Sequence, residues 1–432
     1  MRKRFLLLAP ALGLLLLGAG LAHASGFSIY EAGSRATALG CAFTATADDG
    51  SALFYNAAGL SFQTGRNVDV NIVGVAPQFK FAGHLTQGDA LQTGKAESKL
   101  YLVPGAYYTA KHSDKLAYGV GMYAPFGLGV VWKDPETWVG RRISHDVQIQ
   151  TIYVTPAVSY MLGEGFALAV GADVATQHLS LTKFTPEPQF GTNALESEIT
   201  GRSKPNITPS LGMMLRPSPR VSVGAMYHWG KTMKFEDRTA TLTNVQAEGE
   251  TWAAALLNGL GGSEQKLSSE LNLPSMMSLG VAATTKDGKL RVEGDYVYFG
   301  WRTFQALNLD FDNNALDQLI HFGYKDSWQA RFGAEYTVDE KLRLQFGYVY
   351  DTTPQPLKAV SPLLPDSNRN DYSLGFSYKT GSWDLNASYM VVVGSKRTNI
   401  VDGEPLRNTT DYPFGTYSSL ANLFGVGARH SF

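Results

Sequence analysis

The sequence predicts an all-β fold, a transmembrane antiparallel β-barrel of about 14 strands with an N-terminal hatch plugging its lumen. Three observations carry that prediction. Apolar and polar residues alternate with period 2 in segment after segment, short polar turns and long connections alternate strictly between those segments, and an apolar leader precedes them all.

The leader comes first in the chain. Arg2, Lys3 and Arg4 open it, Phe5 to Leu21 is dominated by leucine, and Ala22-His23-Ala24 offers small residues for cleavage. That is the layout of a secretory signal peptide over residues 1–24, cut near Ala24. The glycine-rich polar segment that follows favours cleavage over retention as a membrane anchor, and no cysteine stands at the cut to take a lipid. Beyond Ala24 no uninterrupted apolar run is long enough for a membrane helix. The 37 basic and 38 acidic residues give a formal net charge of −1, and the mature chain is slightly more acidic. Nothing there points to nucleic acid. Cys41 has no second cysteine to pair with and reads as a small buried residue.

Residues 25–62 form the expected hatch. From Ser25 to Leu60 there is neither strand alternation nor a sustained apolar stripe at helical spacing. Small residues such as Gly33, Ala36, Ala38, Gly40 and Ala42 surround isolated anchors, Phe27, Tyr30, Phe43, Phe54 and Tyr55. That composition suits short helical turns packed inside something larger.

Residues 63–432 supply the larger object. In Lys341 to Asp351, Leu342, Leu344, Phe346, Tyr348 and Tyr350 share one face and charged or small residues the other. The same pattern recurs from Trp328 to Tyr336, Tyr372 to Tyr378 and Trp383 to Val391. Short turns fall at 112–115, 162–165, 217–220, 286–289, 338–341 and 379–382. Longer connections fall near 82–96, 124–142, 185–201, 239–266, 305–325, 354–369 and 397–418. Short turns on one rim and long loops on the other are the layout of bacterial outer-membrane barrels. Lipid cannot satisfy an open sheet edge, so the last strand must pair with the first, near Asn67 to Phe81. Phe424, Val426, Ala428, His430 and Phe432 end the chain on one face, and the terminal Phe432 resembles a signal for the barrel assembly machinery. Arg291, Glu293, Asp295, Arg331, Glu335, Lys341 and Arg343 then belong to inner walls, either as a salt-bridge belt bracing the lumen or as a path for charged solutes.

Two stretches resemble a known family. Gly26-Phe27, Gly40, Ala47-Asp48-Asp49 and Asn56-Ala57-Ala58-Gly59-Leu60 are similar to the hatch of the FadL/TodX outer-membrane transporters of hydrophobic compounds. Ala124-Pro125-Phe126-Gly127-Leu128, then Trp138-Val139-Gly140-Arg141 and Thr155-Pro156-Ala157-Val158-Ser159-Tyr160, make the second match. Where the family commonly has Asn-Pro-Ala, this chain has Ala57 in the middle. Without a proline's fixed backbone angle, Asn56 is expected to hold that turn through its side-chain amide, with Ala58 and Gly59 retained.

The resemblance implies a mechanism. A long-chain fatty acid or similar hydrophobic molecule is captured at outer loops, enters an apolar pocket above the hatch, and leaves sideways into lipid through a kink in the third strand. Gly121, Pro125 and Gly127 are the candidate kink, since proline cannot donate to a ladder and glycine weakens one; Pro125 could equally end the strand at the rim. Candidate ligand residues are Phe27 at the pocket floor, Phe126, Leu128 and Trp138 in an apolar loop cluster with Val130, Val131 and Trp132, and Arg141 as a partner for a carboxylate. Arg141 and Arg142 could equally pair with Asp134 or Glu136. A second apolar cluster, Trp252 to Leu260, is either a binding surface or loop packing.

No Gly-x-Ser-x-Gly elbow, His-Glu-x-x-His or cysteine cluster is present, so neither an enzyme nor a metal or other cofactor is expected. A general diffusion porin would need an open polar lumen, and an aromatic-hydrocarbon channel of the same family is the alternative on substrate. The expected protein is a monomer in the bacterial outer membrane, partnered by lipid and a hydrophobic small molecule.

Overall fold

The computed structural model describes residues 26–85, 89–189, 191–402, 404–406 and 412–432, so the expected signal peptide lies outside the described residues. Among these, fourteen antiparallel strands close into one barrel. They are β1 (Arg66–His84), β2 (Tyr101–Lys111), β3 (Leu116–Val131), β4 (Asp146–Gly163), β5 (Phe166–Pro186), β6 (Asn193–Arg202 with Asn206–Ser218) and β7 (Val221–His228 with Lys231–Asn244). There follow β8 (Glu264–Leu273 with Met276–Thr284), β9 (Leu290–Phe299 with Ala306–Phe311), β10 (Gln318–His321 with Ser327–Thr337), β11 (Leu342–Asp351), β12 (Arg369–Thr380), β13 (Trp383–Gly394) and β14 (Phe414–Ser431). Closure is by β1 against β14, in unbroken register from Asn67↔Ser431 to His84↔Phe414.

Burial runs opposite to that of a soluble sandwich. On β11, Phe346 is 50% exposed while its neighbour Gln345 is 5% exposed. Val70, Ile72, Leu374, Phe424 and Val426 are exposed in the same way, as residues that face lipid must be. The polar partners of the alternation turn into the lumen, where they meet the hatch. Residues 26–62 run inside the barrel as two short helices, α1 (Ser34–Ala38) and α2 (Ala52–Tyr55), and a 3-10 turn (Ala57–Phe62). Cys41 is buried among them.

All six short turns fall where the turn residues put them, but the strands run further toward the long-loop rim than expected. β3 continues to Val131, β5 to Pro186, and β6 begins at Asn193. A tilted strand needs only about 9–11 residues to cross the hydrocarbon, and β5 has 21. The excess stands above the membrane, where alternation no longer reports lipid. One correction follows directly. Phe126, Val130, Trp132 and Trp138 are not an apolar loop cluster open to ligand at the surface: the first two lie on β3, and all four are buried. The Trp252 to Leu260 segment forms a helix, α3 (Trp252–Gly259), whose Trp252, Ala253, Leu256 and Leu257 pack on Ala194 and Leu195 of β6.

Candidate functional site

The hatch has little regular structure, so its buried backbone groups must find partners elsewhere. The barrel wall supplies them. Asp295 accepts from the Phe43 and Thr44 amides at 2.9 and 3.0 Å and from the Thr44 hydroxyl at 2.7 Å. Glu293 accepts from the Ala45 amide at 2.6 Å, and Arg331 donates to the Cys41 carbonyl at 3.0 Å. His228 bridges Asp173 at 2.8 Å and the Phe54 carbonyl at 2.9 Å.

Charge does the rest. Arg35 of α1 makes a two-pronged contact with Glu335, 2.9 and 3.0 Å, and also reaches Asp48. Arg291 closes the square, donating to Asp48 at 2.9 Å and to Glu335 at 2.7 Å. Arg343 pairs with Asp384 and lies 3.8 Å from Glu335. The expected inner-wall charges therefore grip the plug as well as each other. Lys341 is the exception: it is exposed at the turn before β11 and takes no part.

Asn56 lies at the centre of the hatch turn. Its Oδ1 accepts from the Ala58 amide at 3.1 Å, and its Nδ2 donates to the carbonyls of Thr44 and of Met213 on β6, both at 2.9 Å. Asn56→Ala would strand these buried groups, at a cost of about 1–3 kcal/mol. Proteolysis of the hatch should accelerate and uptake should change; unchanged uptake would remove the assigned role. Ala57 opens the 3-10 turn, and Asn56 before it is extended, φ −172° and ψ 101°. Asn56 is extended and not helical, as a residue before proline should be, and 57 is the first position of the turn, where a proline's missing amide is tolerated. Ala57→Pro should therefore stabilise the protein by about 0.4–1 kcal/mol, read as a higher midpoint in denaturant, and a lower midpoint would mean the Ala57 amide is needed. Gly59 is required by close approach, since a Cβ there would lie 2.2 Å from the Ala47 carbonyl oxygen.

Above the hatch the barrel wall opens. β2 and β3 pair only from Ala106↔Met122 down to Lys111↔Ala117. Higher up, β3 shifts register against β4 between Tyr123 and Phe126, a bulge holding Ala124 and Pro125. Bulges bend the strand that carries them, and here the bend takes β3 away from β2. Pro125 thus lies within a bent strand and does not end it. Gly121 remains fully paired, to Tyr107 and Thr155, below the break. The gap closes again at the top, where the Glu97 amide donates to the Val131 carbonyl at 2.7 Å and Ala96 bridges Trp132. The result is a window.

The hatch's first residues occupy the freed edge of β3. The Gly127 amide donates to the Phe27 carbonyl at 2.9 Å, and the Ile29 amide to the Pro125 carbonyl at 2.8 Å. Gly127 leaves room for the Ile29 side chain, which a Cβ would meet at 2.5 Å. Behind the window lies a cavity of about 410 Å³. Tyr101, Leu102, Val103, Phe126 and Leu128 form its lips and walls, Phe27, Ile29 and Tyr30 come from the hatch, and Glu31, Asp366 and Arg369 give it a charged end. Phe27 is wedged edge-on against Trp301, Phe304 and Phe126, with ring centroids at 4.8, 5.6 and 6.1 Å.

Three of the five candidate ligand residues, Phe27, Phe126 and Leu128, line this cavity, and Trp138 and Arg141 do not. Trp138 stacks on Trp132 at 4.1 Å and donates to the Ser144 carbonyl. Arg141 donates to Asn193 at 2.8 Å and to the Trp138 carbonyl at 3.0 Å, pinning the loop after β3. Arg142 donates to the Gly191 carbonyl at 2.9 Å. The charged end of the cavity was missed. Its residues come from the hatch, from the connection before β12 and from the first residue of β12, and no local motif marks them. Asp366 is tied to the hatch, accepting from the Gly26 amide at 3.2 Å and from the Thr353 hydroxyl. Arg369 donates to Asp351 at 3.1 Å.

Comparison with known proteins places this geometry. The family model described as "Outer membrane protein transport protein (OMPP1/FadL/TodX)" matches residues 15–432. Outer membrane protein P1 of Haemophilus influenzae is 26% identical, covering 99% of this chain and 98% of the relative. The long-chain fatty acid transport protein of Escherichia coli is 20% identical over 85% of this chain and 88% of its own length. A Pseudomonas aeruginosa FadL homologue superposes with a TM-score of 0.80 at 19% identity, covering 94% of this chain and 100% of that one. The Pseudomonas putida toluene transporter TodX gives 0.68 at 16% identity, covering 94% and 99%.

Proposed function

The chain belongs to the OMPP1/FadL/TodX family of outer-membrane transporters of hydrophobic compounds, and from that premise we propose that it carries long-chain fatty acids, or acyl amphiphiles like them, by passive diffusion. On this reading residues 1–24 are removed as a signal peptide, 25–62 are the hatch and 63–432 the barrel. The mature protein is a monomer assembled through its terminal Phe432. The substrate enters from the loop rim, rests in the cavity, displaces Phe27–Ile29 from β3 and leaves through the window into lipid.

The observation that carries the substrate class is the asymmetry of the cavity. Leu102, Val103, Phe126 and Leu128 make its lining apolar at the window lips, Gln148, Gln150 and His178 add polar groups, and Glu31, Asp366 and Arg369 are its charged ones. A neutral monoaromatic hydrocarbon has no use for a charged end, and buried charges left facing an apolar ligand would be costly. An amphiphile satisfies both sides, with its carboxylate toward the Arg369 guanidinium.

Asp366 makes this testable. Burial pushes its carboxyl up to about 6, against the opposing pull of the Arg369 guanidinium. Above that pH it is an anion and repels a fatty-acid carboxylate; below it the repulsion is gone. Fatty-acid affinity should therefore rise as pH falls from 7 to 5, by roughly tenfold for each pKa unit of coupling. Binding of a neutral monoaromatic hydrocarbon should stay flat, and Asp366→Asn should flatten the fatty-acid profile. The measurement is binding of labelled fatty acid to the folded protein across pH, with the hydrocarbon as competitor. Binding of the hydrocarbon alone would keep the barrel and hatch and change the substrate class. The same shift makes the folded state lose stability as pH rises through about 6, because the folded chain holds that proton more tightly than the unfolded one.

A further inference from the structure

We propose that the outer rim beside the window holds a second site, for the multiply phosphorylated head group of an outer-leaflet glycolipid, formed by Lys80, Lys95, Lys133 and Lys396. The strand register brings them together. Lys80 on β1 pairs directly with Lys95 of the short ribbon Gln92–Lys95 on one side and with Ser418 of β14 on the other. The Lys133 amide donates to the Lys95 carbonyl at 3.0 Å, next to the Ala96↔Trp132 bridge, so Lys133 extends the row. Lys396 precedes Arg397, whose partner Tyr417 is the neighbour of Ser418. Five neighbouring chain segments thus present four ammonium groups at one level, across about 19 Å at the usual strand spacing.

The row faces outward. Register is unbroken along β1, so Lys80 shares its face with Val70 and Ile72, and along β14 Ser418 shares its face with Phe424 and Val426, all exposed to lipid. It stands just past the end of that apolar belt on the long-loop side, at head-group level. All four lysines are exposed, and none makes an ion pair among the described residues. They line a cavity of about 940 Å³ in which Asp134 is the one carboxylate among the lining residues. Glu97, two residues from Lys95, is 3.6 Å from Lys99.

Like charges directly opposite one another across a ladder are destabilising, and Lys80 faces Lys95. An external anion spanning the row would relieve that repulsion. Its width exceeds what a single carboxylate can bridge, which argues against substrate capture. Its level and outward face put it beside lipid head groups, where each lysine near the surface adds appreciably to anionic-lipid binding.

The test uses the folded full chain in neutral detergent, titrated with bisphosphorylated hexa-acyl lipid A, the same lipid with its phosphates removed, inorganic phosphate and palmitate. The bisphosphorylated lipid should bind far more tightly than the dephosphorylated one. The triple variant Lys80→Gln, Lys95→Gln, Lys133→Gln should lose roughly a hundredfold in affinity, and the matching Lys→Arg triple should retain it. On the unaltered protein, added salt should weaken the binding, a readout that needs no variant to fold. Equal binding of the dephosphorylated lipid, or an unaffected glutamine triple that keeps its folded gel mobility, would overturn the proposal. Inorganic phosphate binding as tightly as the lipid would reassign the site to free anions. Palmitate binding that depends on these lysines would reassign it to substrate capture.

Discussion

Deletion of Pro125 is expected to close the window and abolish uptake of hydrophobic substrate while the barrel still assembles. In the intact chain two residues, Ala124 and Pro125, stand between Tyr123 and Phe126 where β4 has only Ile152 between their partners. Removing one restores even alternation, with Tyr123 and Phe126 inward and Ala124 outward. It also returns a residue with an amide donor to the ladder. β3 can then continue along β2 past Met122, pairing groups that now face the gap. The deletion costs the Ile29 to Pro125 bond, so the hatch's first residues should lose order at the same time. The check is uptake by cells set beside the heat-modifiable gel mobility of the purified barrel. Undiminished uptake from a folded deletion variant would put the exit elsewhere.

Arg35→Ala is expected to have the second largest effect. It removes the one cation that α1 contributes to the square with Asp48, Glu335 and Arg291, and both Arg35 and Glu335 side chains are only 6% exposed. Breaking a buried pair from one side leaves an uncompensated charge and costs about 3–5 kcal/mol. The loss falls on hatch docking, because the barrel ladder is untouched. Planar bilayers should then show a steady ion current where the parent protein shows little, and Glu335→Gln should give a milder version. A silent Arg35→Ala channel would mean that the backbone bonds to Asp295, Glu293 and Arg331 hold the plug without the ion pairs.

Much of this architecture is legible in the residues because the physics acting on strands is local. Period-2 alternation, polar turns of a few residues and the need to close a sheet in lipid suffice for strand number, rim assignment and the pairing of β1 with β14. What fails is the reading where alternation changes its phase. The bulge at Ala124-Pro125 shifts inward positions from odd to even numbers. Phe126, Val130 and Trp132 then read as a stray apolar run, although they line the interior. Arg141 is illegible for a different reason: a guanidinium beside an apolar cluster looks the same in sequence whether its partner is a ligand or the Asn193 amide on a distant strand, to which it donates. The charged end of the cavity, Glu31, Asp366 and Arg369, comes from segments far apart in the chain, and only the closed barrel unites them. The inner-wall charges were visible as a belt, but their grip on Arg35 and Asp48 depends on the hatch lying inside.

Sideways exit above a closed hatch can be followed directly by photolabelling. A long-chain fatty acid carrying a photoreactive group at its methyl end would be bound to the folded protein, irradiated, and the adducts mapped by peptide sequencing. Lateral exit should place adducts on both lips of the window, Tyr101 to Val103 on β2 and Phe126 to Leu128 on β3. Adducts confined to Ala57–Phe62 and the turns beneath it would show passage straight through the plug, and would contradict it.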